Sequence, residues 1–422
     1  MPPTDAPVDV AVIGGGVIGL ACALALAAED RRVLLVERDR IGAGASSGNA
    51  GAFAYADILP LARPGILWRA PHWLLDPLGP LSVRPRSLPA LAPWLARFAL
   101  ASRRACQPAL IAAQAALLRL SAKALPWIAD LAGARGLMRN DGQLQLYEGR
   151  RAWEAALPEW EARRAEGMAF EVLKGADAIA ELQPGLSPRF THAGFVPDWP
   201  SVSDPMTLLE AMAAAFRGRG GRIETEDVTT LAPTASGGVE LGCASGRRIQ
   251  ALQAVLAAGA WSADLARQAG EAVPLAAERG YNTTFSADAF DLRCQLTFPD
   301  HGFVVSRAGG LRVGGAVELA SPDAPADMRR ARVLVDKARR FLPALRAESG
   351  REWMGCRPSL PDSLPVICRA SRIPALVLAF GHGHLGLTQA PATARIVADL
   401  LGGRPPETDI TPYSASRFRS LT

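Results

Sequence analysis

The segment Val8–Glu37, VDVAVIGGGVIGLACALALAAEDRRVLLVE, limits what this chain can fold into more than any other stretch. An apolar run, Val8–Ile13, breaks at glycines spaced Gly14-x-Gly16-x-x-Gly19. An Ala/Leu-rich helical stretch follows, and a second apolar run, Val33–Val36, ends at Glu37. Strand, turn, helix, strand and acid in this order are the fingerprint of a dinucleotide-binding βαβ unit. Gly14 permits the tight turn, Gly16 lets a pyrophosphate approach the backbone, and Gly19 lets helix and strand pack closely. The helix start at Val17 and Ile18 presents free N–H groups to phosphates. Glu37 lies 18 residues past Gly19. A carboxylate there can hold both hydroxyls of an adenosine ribose and would repel a 2′-phosphate, which argues against NADP.

Val10–Ala28 is also a 19-residue stretch without a charge, long enough to suggest a membrane span. Its glycines fit the βαβ punctuation better. The residues ahead of it carry Asp5 and Asp9 and no Lys or Arg, unlike a signal peptide. The 422 residues suit two domains with sizeable cores. Hydrophobic content of 49% and charged content of 21% are those of a globular protein. The net charge is +5, but almost all the positive charge is Arg, with Lys only at 123, 174 and 337. No basic cluster interleaved with aromatics marks a nucleic-acid surface. The six cysteines are scattered without zinc spacing, and His382 and His384 sit in a glycine loop without neighbouring carboxylates. A reducing, cytoplasmic-side protein without a metal is expected.

Further along, residues 40–52 form a small-residue loop. Residues 60–104 are rich in Pro, Leu and Trp, with seven arginines and one acid, Asp76. Prolines at 60, 64, 71, 77, 80, 85, 89 and 93 interrupt any long helix there. Trp68, Trp73 and Trp94 with those arginines suggest a membrane or protein docking face, and a buried cap over the substrate pocket is the competing reading. The pattern predicts a helix over 105–135, a strand over Gln143–Tyr147, and an exposed helix over 151–167 anchored by Trp153 and Trp160. Asp204-Pro205 caps a helix over Met206–Arg217. Arg222–Thr230 and Val239–Ala244 suggest a hairpin-like pair, and Ala251–Ala258 a buried strand. Short strands at Thr283–Phe285, Gln295–Phe298, Gly302–Ser306 and Leu311–Gly314 mark an antiparallel region. A helix is expected over Met328–Phe341. The chain ends in a strand (Ala375–Phe380), a glycine loop (Gly381–Gly386) and a helix (Thr388–Leu401). These elements imply one α/β domain closed by both chain ends, with a β-rich domain inserted.

Four segments carry a family likeness: GGGVIG (14–19) with Glu37 and GASSGNAG (44–51); AAGAWS (257–262); GFVVSR and LRVGG (302–315); and GCRPSLPDSLPVI (355–367) with GHGHLGLTQAP (381–391). Together they resemble the FAD-dependent amine oxidoreductases related to D-amino-acid oxidase, over nearly the whole chain. Bacterial D-amino-acid dehydrogenases are the nearest likeness, with oxygen-using glycine and sarcosine oxidases more distant. The resemblance implies an α/β, Rossmann-like FAD-binding domain of the GR2 type over 1–60, 200–265 and 351–422. An antiparallel β-rich substrate domain would occupy 61–199 and 266–350. It implies Arg38, Ser46 and Ser47 near the ribose and pyrophosphate, and Asn49, Ala50 and Gly51 along the flavin edge. Val228 would touch adenine, and Ala258, Gly259 and Trp261 the pyrophosphate side. Gly383, His384, Leu385, Gly386, Leu387 and Thr388 would face the pyrimidine end of the flavin, where helix N–H groups stabilise negative charge.

By the same likeness the reaction is oxidation of a D-amino acid, hydride passing from the α-carbon to flavin N5. The cofactor carries the hard step. A substrate carboxylate is held best by the planar fork of Arg. Arg307 and Arg357 stand at family positions, with Arg307 expected as the clamp. Tyr281 can donate a hydroxyl, and His384 can accept from or orient the amine. Cys356 falls one place out of register with the cysteine that binds FAD covalently in some relatives, so non-covalent FAD is expected. His384 stands where D-amino-acid dehydrogenases often carry Thr, which brings D-proline or hydroxy-D-proline into view as substrate. An oxygen, quinone or electron-carrier acceptor is left open. Two rivals come from other classes. Gly44-Ala45-Ser46-Ser47-Gly48 fits the G-x-S-x-G elbow of serine hydrolases, although loop is expected on both sides of it. A non-catalytic flavin subunit is the other.

Overall fold

The computed structural model describes residues 8–66 and 81–421. Strands β1 (Val8–Ile13) and β2 (Val33–Glu37) flank helix α1 (Val17–Ala27). After β3 (Leu81–Val83) come α2 (Leu88–Ala101), α3 (Gln107–Leu131), β4 (Met138–Asn140), β5 (Gln143–Tyr147), α4 (Gly149–Ala165), β6 (Glu171–Lys174) and α5 (Ala176–Leu182). Then follow β7 (His192–Val196), β8 (Pro200–Val202), α6 (Pro205–Gly218), β9 (Arg222–Thr225), β10 (Val228–Pro233), β11 (Val239–Cys243), β12 (Arg248–Leu256) and α7 (Ser262–Gln268). The last third holds β13 (Ala276–Phe285), β14 (Gln295–Phe298), β15 (Phe303–Arg307), β16 (Leu311–Leu319), α8 (Arg329–Phe341), β17 (Arg351–Ser359), β18 (Val366–Arg369), β19 (Leu376–Phe380) and α9 (Gly386–Leu401).

Two large sheets organise these elements. In the first, β1 lies between β2 and β12, all parallel, with Ala11 opposite Leu34 and Val10 opposite Gln253. β19 extends it beside β12, also in parallel. Helices cover these strands, so their sequences are continuous apolar runs rather than alternating ones. Helix α1 is apolar all round because it is buried all round, packed on α9 and α6. In the second sheet the order is β17-β13-β16-β15-β14-β5-β7-β6. Most of its neighbours are antiparallel, as expected of the inserted region.

Helix α3 is long and apolar enough to cross a membrane. Its buried stripe, Ala113, Leu117, Leu120, Ala124 and Ile128, recurs at helical spacing. That stripe faces α9, the position of a core helix. Asp204 caps α6 as expected, its Oδ1 accepting from the Met206 N–H at 3.0 Å.

Several expectations are corrected. Arg222–Thr225 pairs in parallel with β2, and only Val228–Pro233 forms the hairpin with β11. The strand expected at Thr283–Phe285 runs from Ala276, and the one at Leu311–Gly314 continues to Leu319. Residues 351–359 form β17 on the edge of the second sheet, so the third segment of the first domain begins after Ser359, not at 351. The docking face proposed for 60–104 loses one anchor: Trp94 is buried in α2, its Nε1–H donating to the Ser359 carbonyl at 3.1 Å. Trp68 and Trp73 lie outside the described residues.

Candidate functional site

Between the two sheets runs a cavity of about 920 Å³. That is at the large end of ligand sites, which span about 300–1,000 Å³. One end is the βαβ unit. Gly14 has φ +109°, and a Cβ there would lie 2.4 Å from the Ala257 carbonyl oxygen, so only glycine makes this turn. A Cβ on Gly19 would lie 1.8 Å from the Gly14 oxygen. Gly19 is therefore off the cavity wall, and its role is to bring helix and strand together. Gly14, Gly16, Val17 and Ile18 line the wall. Glu37 sits beside them, one carboxylate oxygen accepting from the Gly15 N–H at 2.5 Å and the other from Asp39 N–H at 3.1 Å. Arg38 stacks on the Trp261 ring at 3.7 Å, and both line the wall with Val228, Ala258 and Gly259.

Ser46 Oγ accepts from the Val17 N–H at 3.0 Å, which ties the 40–50 loop to the start of α1. Loop flanks Ser46 on both sides, so the strand–Ser–helix elbow of a hydrolase is absent here. Asn49 and Ala50 line the cavity, whereas Ser47 and Gly51 do not. The Ser47 carbonyl instead accepts from Arg312 at 3.4 Å. Gly51 has φ +73° with Val202 O 2.9 Å from where a Cβ would be, so it serves the backbone turn.

At the far end, Gly383, His384, Leu385 and the first turn of α9 (Gly386, Leu387, Thr388) line the wall. Among the described residues no side chain caps this helix, so its N-terminal partial positive charge is open to the cavity. The Thr388 hydroxyl is spent on the backbone, accepting from Ala54 N–H at 3.0 Å and reaching Ala52 O at 3.3 Å. His384 is open to the cavity yet enclosed by protein, and that burial lowers its pKa. Glu278 and Asp57 oppose the shift, while Arg357 and Arg63 add to it. The ring is thus neutral at pH 7, able to accept a proton or hydrogen bond. Its neighbour His382 faces Thr393 Oγ1 at 3.0 Å, and burial lowers its pKa to about 3.

The arginines part company. Arg357 lines the cavity, Nη1 donating to Glu278 Oε1 at 2.9 Å. Arg307 does not: it is 3.9 Å from Asp141 and borders a separate small recess. Phe303, Val304 and Ser306 of β15 line the cavity, and Arg307 at the end of that strand does not. Of the two arginines, Arg357 is the one on the cavity wall. Tyr281 is also corrected. Tyr281 borders the cavity, but its hydroxyl donates to Glu318 Oε2 at 2.6 Å, inside a buried cluster with Arg84 and Arg279.

Sequence reasoning missed Glu278, Asp57, Asn282, Trp353 and Gln145, all on the wall. Gln145 belongs to a buried chain running from Thr297 through Gln143, Gln145 and Tyr147 to Trp160. The alternation of Gln and Leu in β5 was the available signal. Cys356 keeps its thiol near the Pro322 carbonyl at 3.8 Å, and burial raises its pKa.

A βαβ nucleotide grip opening into a chamber beneath a second sheet defines a two-domain nucleotide-binding protein. Residues 9–400 match the family described as FAD dependent oxidoreductase. The chain belongs to this family, and FAD is its cofactor. It is 34% identical to a D-amino-acid oxidase of Bradyrhizobium diazoefficiens, over 97% of this chain and 98% of that one. It is 34% identical to D-amino acid dehydrogenase 2 of Pseudomonas aeruginosa, over 95% and 97% of the two chains. In fold it is similar to glycine oxidase from Geobacillus kaustophilus, with TM-score 0.76 and 24% identity over 97% and 99% of the two chains. The wall fits FAD on its own evidence. A Cβ on the wall residue Gly44 would meet open space, Glu37 lies beside the Gly14–Gly16 turn, and the buried Trp261 Nε1–H and Asn282 Oδ1 on the wall have no partner among the described residues.

Proposed function

We propose that the protein oxidises the Cα–N bond of a D-amino acid to an imine, with FAD held non-covalently. The observation that carries this reading is Arg357. Its guanidinium lies on the cavity wall and gives one N–H to Glu278, and its remaining N–H groups have no partner among the described residues. A carboxylate is the natural occupant of such a fork. The D configuration rests on the two relatives named above. The buried, weakly acidic thiol of Cys356, turned to a carbonyl, supports a non-covalent cofactor.

FAD bound here supplies the two-electron acceptor for the hydride. The chain's residues have three tasks. Arg357 fixes the carboxylate and thereby the α-carbon. The neutral His384 imidazole accepts a hydrogen bond or proton from the substrate amine, whose lone pair must be free for an imine to form. The open N-terminus of α9 offsets negative charge at the cavity end it faces.

The test is anaerobic mixing of purified protein with a panel of D- and L-amino acids, glycine, sarcosine, D-proline and hydroxy-D-proline, followed by flavin absorbance. Bleaching by a D-amino acid and not by its L enantiomer is expected. Oxygen or a quinone added afterwards identifies the acceptor. A flavin left oxidised by the whole panel overturns the reading.

A further inference from the structure

We propose that Glu278 and Arg357 together form a two-ended receptor for the α-amino-acid zwitterion, Arg357 taking the carboxylate and Glu278 taking the ammonium group. This rests on the amino-acid reading above and names the residue that recognises the nitrogen.

The two residues face each other directly across β13 and β17. Two residues on, the same face of β13 carries Gly280. A Cβ there would lie 2.5 Å from Arg357 Cζ, so the missing side chain is what gives the guanidinium its berth. Arg357 Nη1 donates to Glu278 Oε1 at 2.9 Å. The other Glu278 oxygen has no hydrogen bond among the described residues, although the side chain is only 5% exposed and lines the cavity.

That open oxygen sets Glu278 apart from the other buried glutamates. Glu271 accepts from Ser371 N–H with one oxygen and from Arg419 with both. Glu318 accepts from Arg84 with one oxygen and from Tyr281 with the other. The Glu278 oxygen opens to the cavity, where a ligand's donor can meet it.

An α-amino acid carries its ammonium and carboxylate on one carbon. It can lie antiparallel to the Glu278–Arg357 pair, each charge against its opposite. A simple carboxylate meets a different field. Arg357 still offers it N–H groups, but the open Glu278 oxygen beside them repels the newcomer. The pair therefore selects amino acids over carboxylates without nitrogen.

The experiment uses the FAD-loaded enzyme with D-alanine and propionate, or the best substrate of the panel and its deaminated counterpart. The Kd for D-alanine comes from saturation of the anaerobic bleaching rate, and that for propionate from the shift of the flavin spectrum. The wild type is expected to bind D-alanine at least tenfold tighter than propionate. Glu278→Gln is expected to weaken D-alanine at least tenfold while changing propionate less than twofold or tightening it. Glu278→Asp should recover part of the loss. Parallel weakening of both ligands would mean that Glu278 only anchors Arg357, and overturns the proposal. Parity of the two ligands in the wild type overturns it without any variant. Failure of every amino acid to bleach the flavin is a separate result, which removes the amino-acid reading and this proposal with it.

Discussion

Gly280→Ala isolates the carboxylate clamp from the rest of the molecule. Gly280 does not have a positive φ, so its backbone tolerates alanine. The new Cβ would lie 2.5 Å from both Cζ and Nη2 of Arg357, against about 3.4–4 Å for ordinary contact. The guanidinium must retreat by roughly 1 Å. The atoms displaced are the far end of a flexible side chain, so the strand need not move. Replacing glycine within a strand recovers about 0.5–1 kcal/mol of backbone entropy, which offsets strain in the displaced ion pair. A misplacement near 1 Å at a positioning group costs on the order of 10²-fold in turnover, or about 2.7 kcal/mol. The expected variant is folded, yellow and fully loaded with FAD. Its kcat/KM for the best amino acid should be reduced between about tenfold and a few hundredfold. Occupancy is read from the flavin-to-protein absorbance ratio, and kinetics from anaerobic stopped flow. A kcat/KM within twofold of the wild type at full occupancy would show that Arg357 does not hold substrate.

Glu37→Ala removes a charged partner at the ribose position, which should weaken FAD by about 1.5–3 kcal/mol, or roughly ten- to a hundredfold in Kd by equilibrium dialysis; unchanged affinity would sink that assignment. His382 has a folded pKa near 3, against about 6.5 unfolded, so below pH 6.5 the unfolded chain takes up a proton that the folded one refuses. Stability should therefore fall as pH drops from about 6.5 towards 3, by up to roughly 1.4 kcal/mol per unit, and His382→Gln should flatten the dependence of urea midpoints between pH 7 and 5. Trp94→Ala should cost about 3–5 kcal/mol of stability and leave flotation with anionic liposomes unchanged; loss of flotation with stability intact would restore the docking face.

The parts of the site legible in the sequence are those whose chemistry is local. Gly14, Gly16 and Glu37 act within one βαβ unit, and the 381–388 loop runs straight into its helix. The misread residues lie on strands of the second sheet, where a step of one residue reverses the facing direction. Arg307 and Ser306 are neighbours in sequence, yet Ser306 lines the cavity and Arg307 turns to Asp141. The bulge between Gly280 and Tyr281 against β16 compounds the difficulty, since it shifts the register where Tyr281 reaches Glu318. Glu278 became visible only once β13 was known to begin at Ala276, because its partner Arg357 lies 79 positions away. In sequence the Arg222–Thr230 stretch reads as one arm of a hairpin. It contributes to both flanks of the first sheet, β9 beside β2 and β10 beside β11.

The central ladder of the first sheet also sets the order in which the chain can be completed. Val10 must find Gln253, and Ala254 must find Leu376. At about 5–20 residues per second, roughly 12–50 seconds of synthesis separate β1 from its partner β12. Through that interval Val8–Ile13 is an apolar edge with its main partner not yet made, a state prone to mispairing. Fragments ending before residue 256 should aggregate, and refolding from denaturant should be slow and sensitive to protein concentration. The same non-local closure that brings both chain ends to one cavity makes the nucleotide grip one of the last parts of the molecule to become secure.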